Sequence, residues 1–171
     1  MLIQELLLEP LSSVPDIDPD VDPLQSPLLM QECQVLDIRI DVLRSTAAVL
    51  LEQRAAFDVL RGNTGIMVMR GVRSVHWHAV ASVLGPLTAW VVVGATVALG
   101  SGGVKVVMGL SPDARLAGIA EVIEYYAVDA NIGSRIPDYL EASGSEIGLT
   151  VATWESHAVP IERSSLHSVQ H

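Results

Sequence analysis

Between residues 36 and 42 apolar and polar positions alternate, with Leu36, Ile38, Ile40 and Val42 interleaved by Asp37, Arg39 and Asp41. Successive side chains of a strand point to opposite faces, so this stretch predicts a half-buried β-strand. Residues 45–60 admit two readings. Ser45 or Thr46 could cap a helix containing Ala47, Ala48, Leu50, Leu51, Glu52, Gln53, Arg54, Ala55 and Ala56 and ended by Gly62, which propensity slightly favours. Alternatively Ala47, Val49 and Leu51 share one face of a strand continuing through Phe57 and Val59. Residues 61–65 read as a turn, because Gly and Asn tolerate positive φ. They lead into a β-branched strand at 66–75, with Gly71 as a bulge, closed by His76, Trp77 and His78.

Further strands are expected at 88–99 and from 104, and a long one at 115–128, bulged at Gly118. The glycines of 100–103 and the turn residues of 111–114 separate them. A short helix at 146–152 and an edge strand at 157–161 bearing Pro160 complete the pattern. Short turns between neighbouring strands favour antiparallel pairing. The expected fold is therefore mainly β, an antiparallel meander or sandwich-like sheet with a short C-terminal helical element.

Residues 1–33 hold five of the nine prolines together with Asp16, Asp18, Asp20 and Asp22, and read as a flexible acidic N-terminal segment. A calcium loop starting at Asp16 would need Gly at its sixth place and Glu at its twelfth, where Val21 and Pro27 stand. The single β-rich domain is expected over 34–162, and 163–171 as a disordered tail.

From 79 to 104 no residue is charged, which is long enough for one membrane span. A single-pass membrane protein using residues 79–104 is accordingly one alternative. The valines at 91–93, the breaks at Gly85, Pro86, Gly94, Gly100, Gly102 and Gly103, and the strands on either side favour buried antiparallel strands instead.

At 171 residues the chain suits one domain able to bury a core without staples. Twenty acidic against ten basic side chains give a net charge of -10, which disfavours nucleic acid as a partner. The arginines at 39, 44, 54, 61, 70, 73, 115, 135 and 163 are scattered, so no basic patch is visible. Cys33 is the only cysteine, which rules out an internal disulfide and fits a reducing, cytoplasmic compartment. With no cationic neighbour in sequence it reads as a buried, inert thiol. The first ten residues lack the positive region and cleavage site of a secretory signal.

The stretches Leu36-Asp-Ile-Arg-Ile-Asp-Val, Ser45-Thr-Ala-Ala-Val-Leu-Leu-Glu-Gln-Arg and Gly62-Asn-Thr-Gly-Ile-Met-Val-Met-Arg-Gly-Val-Arg resemble a group of small uncharacterised actinobacterial proteins. Thr88-Ala-Trp-Val-Val-Val-Gly, Pro112-Asp-Ala-Arg-Leu and the region from Pro137 to Trp154 extend the resemblance over about residues 35–160. It implies a soluble β-rich domain with 46–60 as strand, and no activity, cofactor or catalytic residue to carry over. This chain departs by placing Val and Ala where aromatic and acidic residues would be expected.

His76 and His78 are the best candidates for chemistry, since residues two apart on a strand share a face and could grip one metal ion. A third ligand is wanted a few residues on, where Val80, Ala81 and Val83 stand. Residues 100–105 lack the spacing and ending of a phosphate loop, and Ser143 and Ser145 do not match a nucleophile elbow. Tyr125 and Tyr126 near Asp129 could rim a polar pocket, while Glu121 and Glu124 fall on opposite faces of a regular strand. The balance favours a non-enzymatic binding or interaction module without cofactor. An acidic surface could meet a basic protein partner, as immunity-type proteins do. A metal-dependent enzyme built on His76 and His78 is the remaining alternative.

Overall fold

The computed structural model describes residues 1–56, 60–80, 90–139 and 144–168. They form one antiparallel sheet of nine strands: β1 (Gln34–Asp41), β2 (Thr46–Glu52), β3 (Thr64–Arg70), β4 (Ser74–Ala79), β5 (Trp90–Gly100), β6 (Gly103–Ser111), β7 (Ala114–Ala120), β8 (Val122–Ala130) and β9 (Ala158–His167). Outside the sheet lie two short helices, α1 (Glu5–Leu8) and α2 (Gly144–Gly148), and 3-10 turns at Pro19–Val21 and Pro27–Met30. The chain is thus mainly β and antiparallel, with a short helix towards its C-terminal end.

The hydrogen-bonded order is β4-β7-β6-β5-β1-β2-β3-β8-β9. Consecutive strands β3 and β4 stand far apart in this order, yet only residues 71–73 join them, and Glu121 alone joins β7 to β8. Each pair is one long strand bent at a corner. Arg70 pairs with Val122 on one side of the bend and Ser74 with Ile119 on the other. The Glu121 N–H donates to the Arg70 carbonyl at 3.0 Å, and Gly71 turns the corner at φ +62°. A Cβ there would lie 2.7 Å from the Glu121 side chain, which would have to move aside, and the left-handed backbone itself favours glycine. The long strand expected at 115–128 is therefore broken at Glu121 rather than bulged at Gly118.

The bend rolls the sheet back on itself around an inner core that includes Val49, Leu51, Met67, Met69, Val106, Met108, Leu116 and Tyr125. A second core on the outer face of β2, β3 and β8 holds Ala48, Leu50, Ile66, Val68, Tyr126 and Val128. Every residue of β2 is buried, inward for Ala47, Val49 and Leu51 and outward for Ala48 and Leu50. A strand covered on both faces shows no period of two, which is why helix propensity misled at 46–52. Residues 57–59 lie outside the described residues.

On β1 the register slips between Val35 and Asp37, which face Leu51 and Leu50. The extra residue, Leu36, packs on the outer core while Ile38 packs on the inner one. The alternation read along 36–42 is thus real for the strand but not for a single buried face. Ile40 is 54 % exposed and Val42 81 %.

The expected flexible lead-in does not describe residues 1–33. Ile3, Leu6 and Leu7 cover the outer core, and Ile17, Leu24, Met30 and Cys33 enter the inner one. Their apolar side chains gain more by covering the sheet than prolines and acids gain from solvent. Nor does the chain loosen at 163, because β9 runs to His167. Its outer edge is held by residues 15–17: Ile17 N–H donates to the Arg163 carbonyl at 2.7 Å and Arg163 N–H to that of Pro15 at 2.8 Å. An otherwise open edge strand is thereby covered.

Within the uncharged run, residues 81–89 lie outside the described residues. Val92 and Val104 are buried, but Val93 and Leu99 of β5 are 52 % and 57 % exposed, so the run is not wholly core. Among the described residues no helix is long and apolar enough to cross a membrane.

Candidate functional site

The slip in β1 sends Gln34, Asp37 and Arg39 to the outer face, beside Glu52 and Leu50 of β2. The chain returning from β8 passes over this face through Tyr139, α2 and residues 147–155. Between them lies a cleft of about 380 Å³. Val35, Leu36, Leu50, Ile147, Val151 and Ala152 supply its apolar walls. This size and mixture suit a small molecule or one inserted side chain.

Its polar groups fall into two sets. One set already has partners. The Trp154 indole N–H donates to Asp37 at 2.6 Å, and the Asp37 carboxylate also accepts from the Ile38 N–H at 2.8 Å. The Arg39 guanidinium lies 5.2 Å from the centre of the Trp154 ring, pairs with Glu155 at 3.2 Å and donates to Gln4 at 3.1 Å. Below, the wholly buried Glu52 is gripped by Arg54 through its Nε at 2.8 Å and its Nη2 at 2.6 Å. Arg54 also donates to the carbonyls of Gly133, Arg135 and Thr150, tying the cleft's far wall to β2.

The other set is open. The Gln34 Oε1 and the Tyr139 hydroxyl are both buried and have no hydrogen-bond partner among the described residues. Burial, reinforced by the Glu52 carboxylate and partly opposed by Arg54, holds the Tyr139 phenol well above its usual pKa, so it stays protonated. Two buried, unpaired polar atoms on residues that line one cavity are unusual, since each carries a desolvation penalty of about 1–3 kcal/mol.

The residues singled out in sequence lie elsewhere. His76 and His78 are exposed on one face of β4, opposite Ala117 and Arg115 of β7. Among the described residues no three His, Cys, Asp or Glu side chains come together as a metal site. Tyr125 points into the inner core, where its hydroxyl donates to Gln53 Oε1 at 2.7 Å; Tyr126 points outward and accepts from the Leu11 N–H at 3.3 Å. Glu124 is buried against Arg70 at 2.7 Å, and Glu121 stands at the corner 3.9 Å from Arg73. Residues 100–103 form the β5–β6 hairpin, and Ser143 lies outside the described residues. Cys33 is buried, and burial together with the Glu52 charge pushes its thiol up to about 12, as an inert thiol requires.

A second cavity of about 420 Å³ opens beside Asp16, Asp18, Arg61, Tyr125 and Glu162. There the Tyr125 hydroxyl is satisfied by Gln53, and Arg61 faces Glu162 at 3.4 Å. Gln34, Asp37, Glu52, Arg54, Tyr139 and Trp154 are the site residues that sequence reasoning missed. One local signal existed: Glu52 and Arg54 are opposite charges only two residues apart.

Comparison with known proteins finds no family model, no curated protein and no solved structure that this chain matches. Among the described residues lining the cleft none is His or Cys, Arg39 and Glu155 are paired with each other, and Asp37 is held by the Trp154 indole. The arrangement can bind and orient a ligand.

Proposed function

We propose that the protein is a non-enzymatic binding module whose recognition site is the cleft between β1 and the wall formed by Tyr139 and residues 147–155. The observation that carries this reading is the pair of buried atoms without a partner among the described residues, Gln34 Oε1 and the Tyr139 hydroxyl, on two residues that line one side-chain-sized cavity. A folded chain that keeps such penalties beside a cavity gains when a ligand supplies the missing hydrogen bonds. The rigid supports around them, Asp37–Trp154 and Glu52–Arg54, serve to hold the walls in place.

The reading is tested by comparing stability with binding. Gln34→Leu and Tyr139→Phe each remove an unpaired polar atom, so each variant is expected to be as stable as the parent or up to about 1 kcal/mol more stable. Each should at the same time lose fragment binding, followed by the Trp154 indole N–H resonance in nitrogen-15 correlation spectra. Variants that lose stability while still binding every fragment the parent binds would refute the assignment.

A further inference from the structure

The cleft's charges restrict what can fill it, and this step rests on the binding reading above. Of its lining residues Asp37 and Glu155 are acidic and Arg39 alone is basic. Arg39 is already shared between Glu155, Gln4 and the face of Trp154. The neighbouring Arg54 is held in the two-pronged grip of Glu52. An anionic ligand would therefore find Asp37 and Glu155 but, among the described residues lining the cleft, no free cation to neutralise it. The open groups point the same way. Gln34 offers a carbonyl oxygen, which only accepts, and Tyr139 a hydroxyl that can accept as well as donate. Asp37 accepts one hydrogen bond each from Trp154 and Ile38, and an ionised carboxylate can take about four. The chain as a whole carries a net charge of -10, which draws cations towards every opening on it.

We infer that the cleft takes a cationic hydrogen-bond donor, a protonated amine or a guanidinium group, held by Gln34 Oε1, Tyr139 and the spare lone pairs of Asp37, with its aliphatic stem against Leu36, Leu50 and Val151. Such a group is carried both by small amines and by the Lys or Arg side chains of a protein. The stem packs on the apolar walls, and the charged head meets the three acceptors.

The test uses the full chain, labelled with nitrogen-15, at constant ionic strength. Four probes of similar size are titrated: butylammonium, ethylguanidinium, neutral butanamide and butyrate. The expected result is saturable shifts of the Trp154 indole N–H and of the amides of residues 34–39 with the two cations. Butyrate should produce none, and butanamide should bind roughly tenfold or more weakly, the usual penalty for replacing a charged hydrogen bond by a neutral one. Gln34→Leu should weaken cation binding by a similar factor. Tyr139→Phe, which removes a single oxygen, provides a second variant should the first lose its dispersed spectrum. Butanamide binding as tightly as the cations would overturn the inference and leave the cleft as a binding site. Failure of every probe to shift these resonances at tens of millimolar would overturn both. Acetyl-arginine methylamide separates the two sources: binding at least as tight as ethylguanidinium points to a protein side chain, and weaker binding to a free small cation. Either outcome upholds the cationic donor.

Discussion

Replacing Arg54 by Met is the most informative single perturbation, because it removes one half of a buried ion pair and the tie between β2 and the cleft wall. Glu52 is wholly buried, and Arg54 is only 13 % exposed. The carboxylate keeps its bond from the Arg54 backbone N–H at 2.9 Å but loses both guanidinium contacts. Breaking one partner out of a buried pair costs about 3–5 kcal/mol, since the remaining charge is left in the protein without compensation. At about 2–4 °C per kcal/mol for a domain of this size, Tm should fall by roughly 6–20 °C. Removing both charges tests the cause. A Glu52→Met, Arg54→Met double variant should recover most of the loss, leaving about 1–2 kcal/mol for the part-buried Thr150 carbonyl that Arg54 no longer meets. Urea unfolding with linear extrapolation measures both variants on one scale. A single variant within about 1 kcal/mol of the parent, or a double variant no better than the single, would refute this account of Glu52 as a buried charge dependent on Arg54.

Other outcomes follow from the same geometry. A Cβ at Gly65 would lie 2.3 Å from the Tyr125 hydroxyl oxygen, so Gly65→Ala should cost about 1–3 kcal/mol. Adding Tyr125→Phe removes that oxygen, and the double variant should be more stable than the sum of the two single losses by about 0.5 kcal/mol or more; simple additivity in urea melts would argue against the clash. The thiol of Cys33 is raised from 9.0 to about 12 in the folded chain, so the unfolded state ionises first and stability should fall as pH rises through that window. Cys33→Ala should remove that part of the alkaline slope, about 1.4 kcal/mol per pH unit, and alkylation of the native thiol at pH 8.5 should track unfolding. Arg70 joins Glu124 at 2.7 Å to the carbonyls of Leu6 and Leu7 at 2.6 and 3.0 Å. Arg70→Met should therefore cost about 2–4 kcal/mol, and hydrogen exchange should show faster loss of protection at residues 3–7 than at β2.

How far the primary structure reveals this molecule differs from element to element. Residues 61–65, the 100–103 hairpin and the 111–114 turn are legible because glycine, asparagine and proline act through their own backbones. The β1 alternation is legible for the same local reason. The bulge at Leu36, which splits its side chains between two cores, is a matter of pairing with β2 and has no signature of its own. The cleft is less legible still. Gln34, Glu52, Tyr139 and Trp154 span more than a hundred positions of the chain and meet only because the segment after β8 folds back over β1. The histidine pair attracted attention because its members are neighbours in sequence, which is no guide to what faces them from β7.

The order of apolar and polar residues was sufficient for the class of this protein, a mainly antiparallel β chain with a brief helix near its end. Strand, turn and hairpin preferences depend on a few adjacent residues and survive wherever the chain packs. Tertiary contacts alone settled β2 as a strand, the corners at residues 71–73 and Glu121, the seating of residues 1–33 on the sheet, and the cleft with its two unpaired atoms. Those features depend on burial and pairing between distant segments, where the hydrophobic gain of covering a face outweighs local propensity. A one-dimensional pattern records which residues prefer burial. It does not record which of them will be buried against one another.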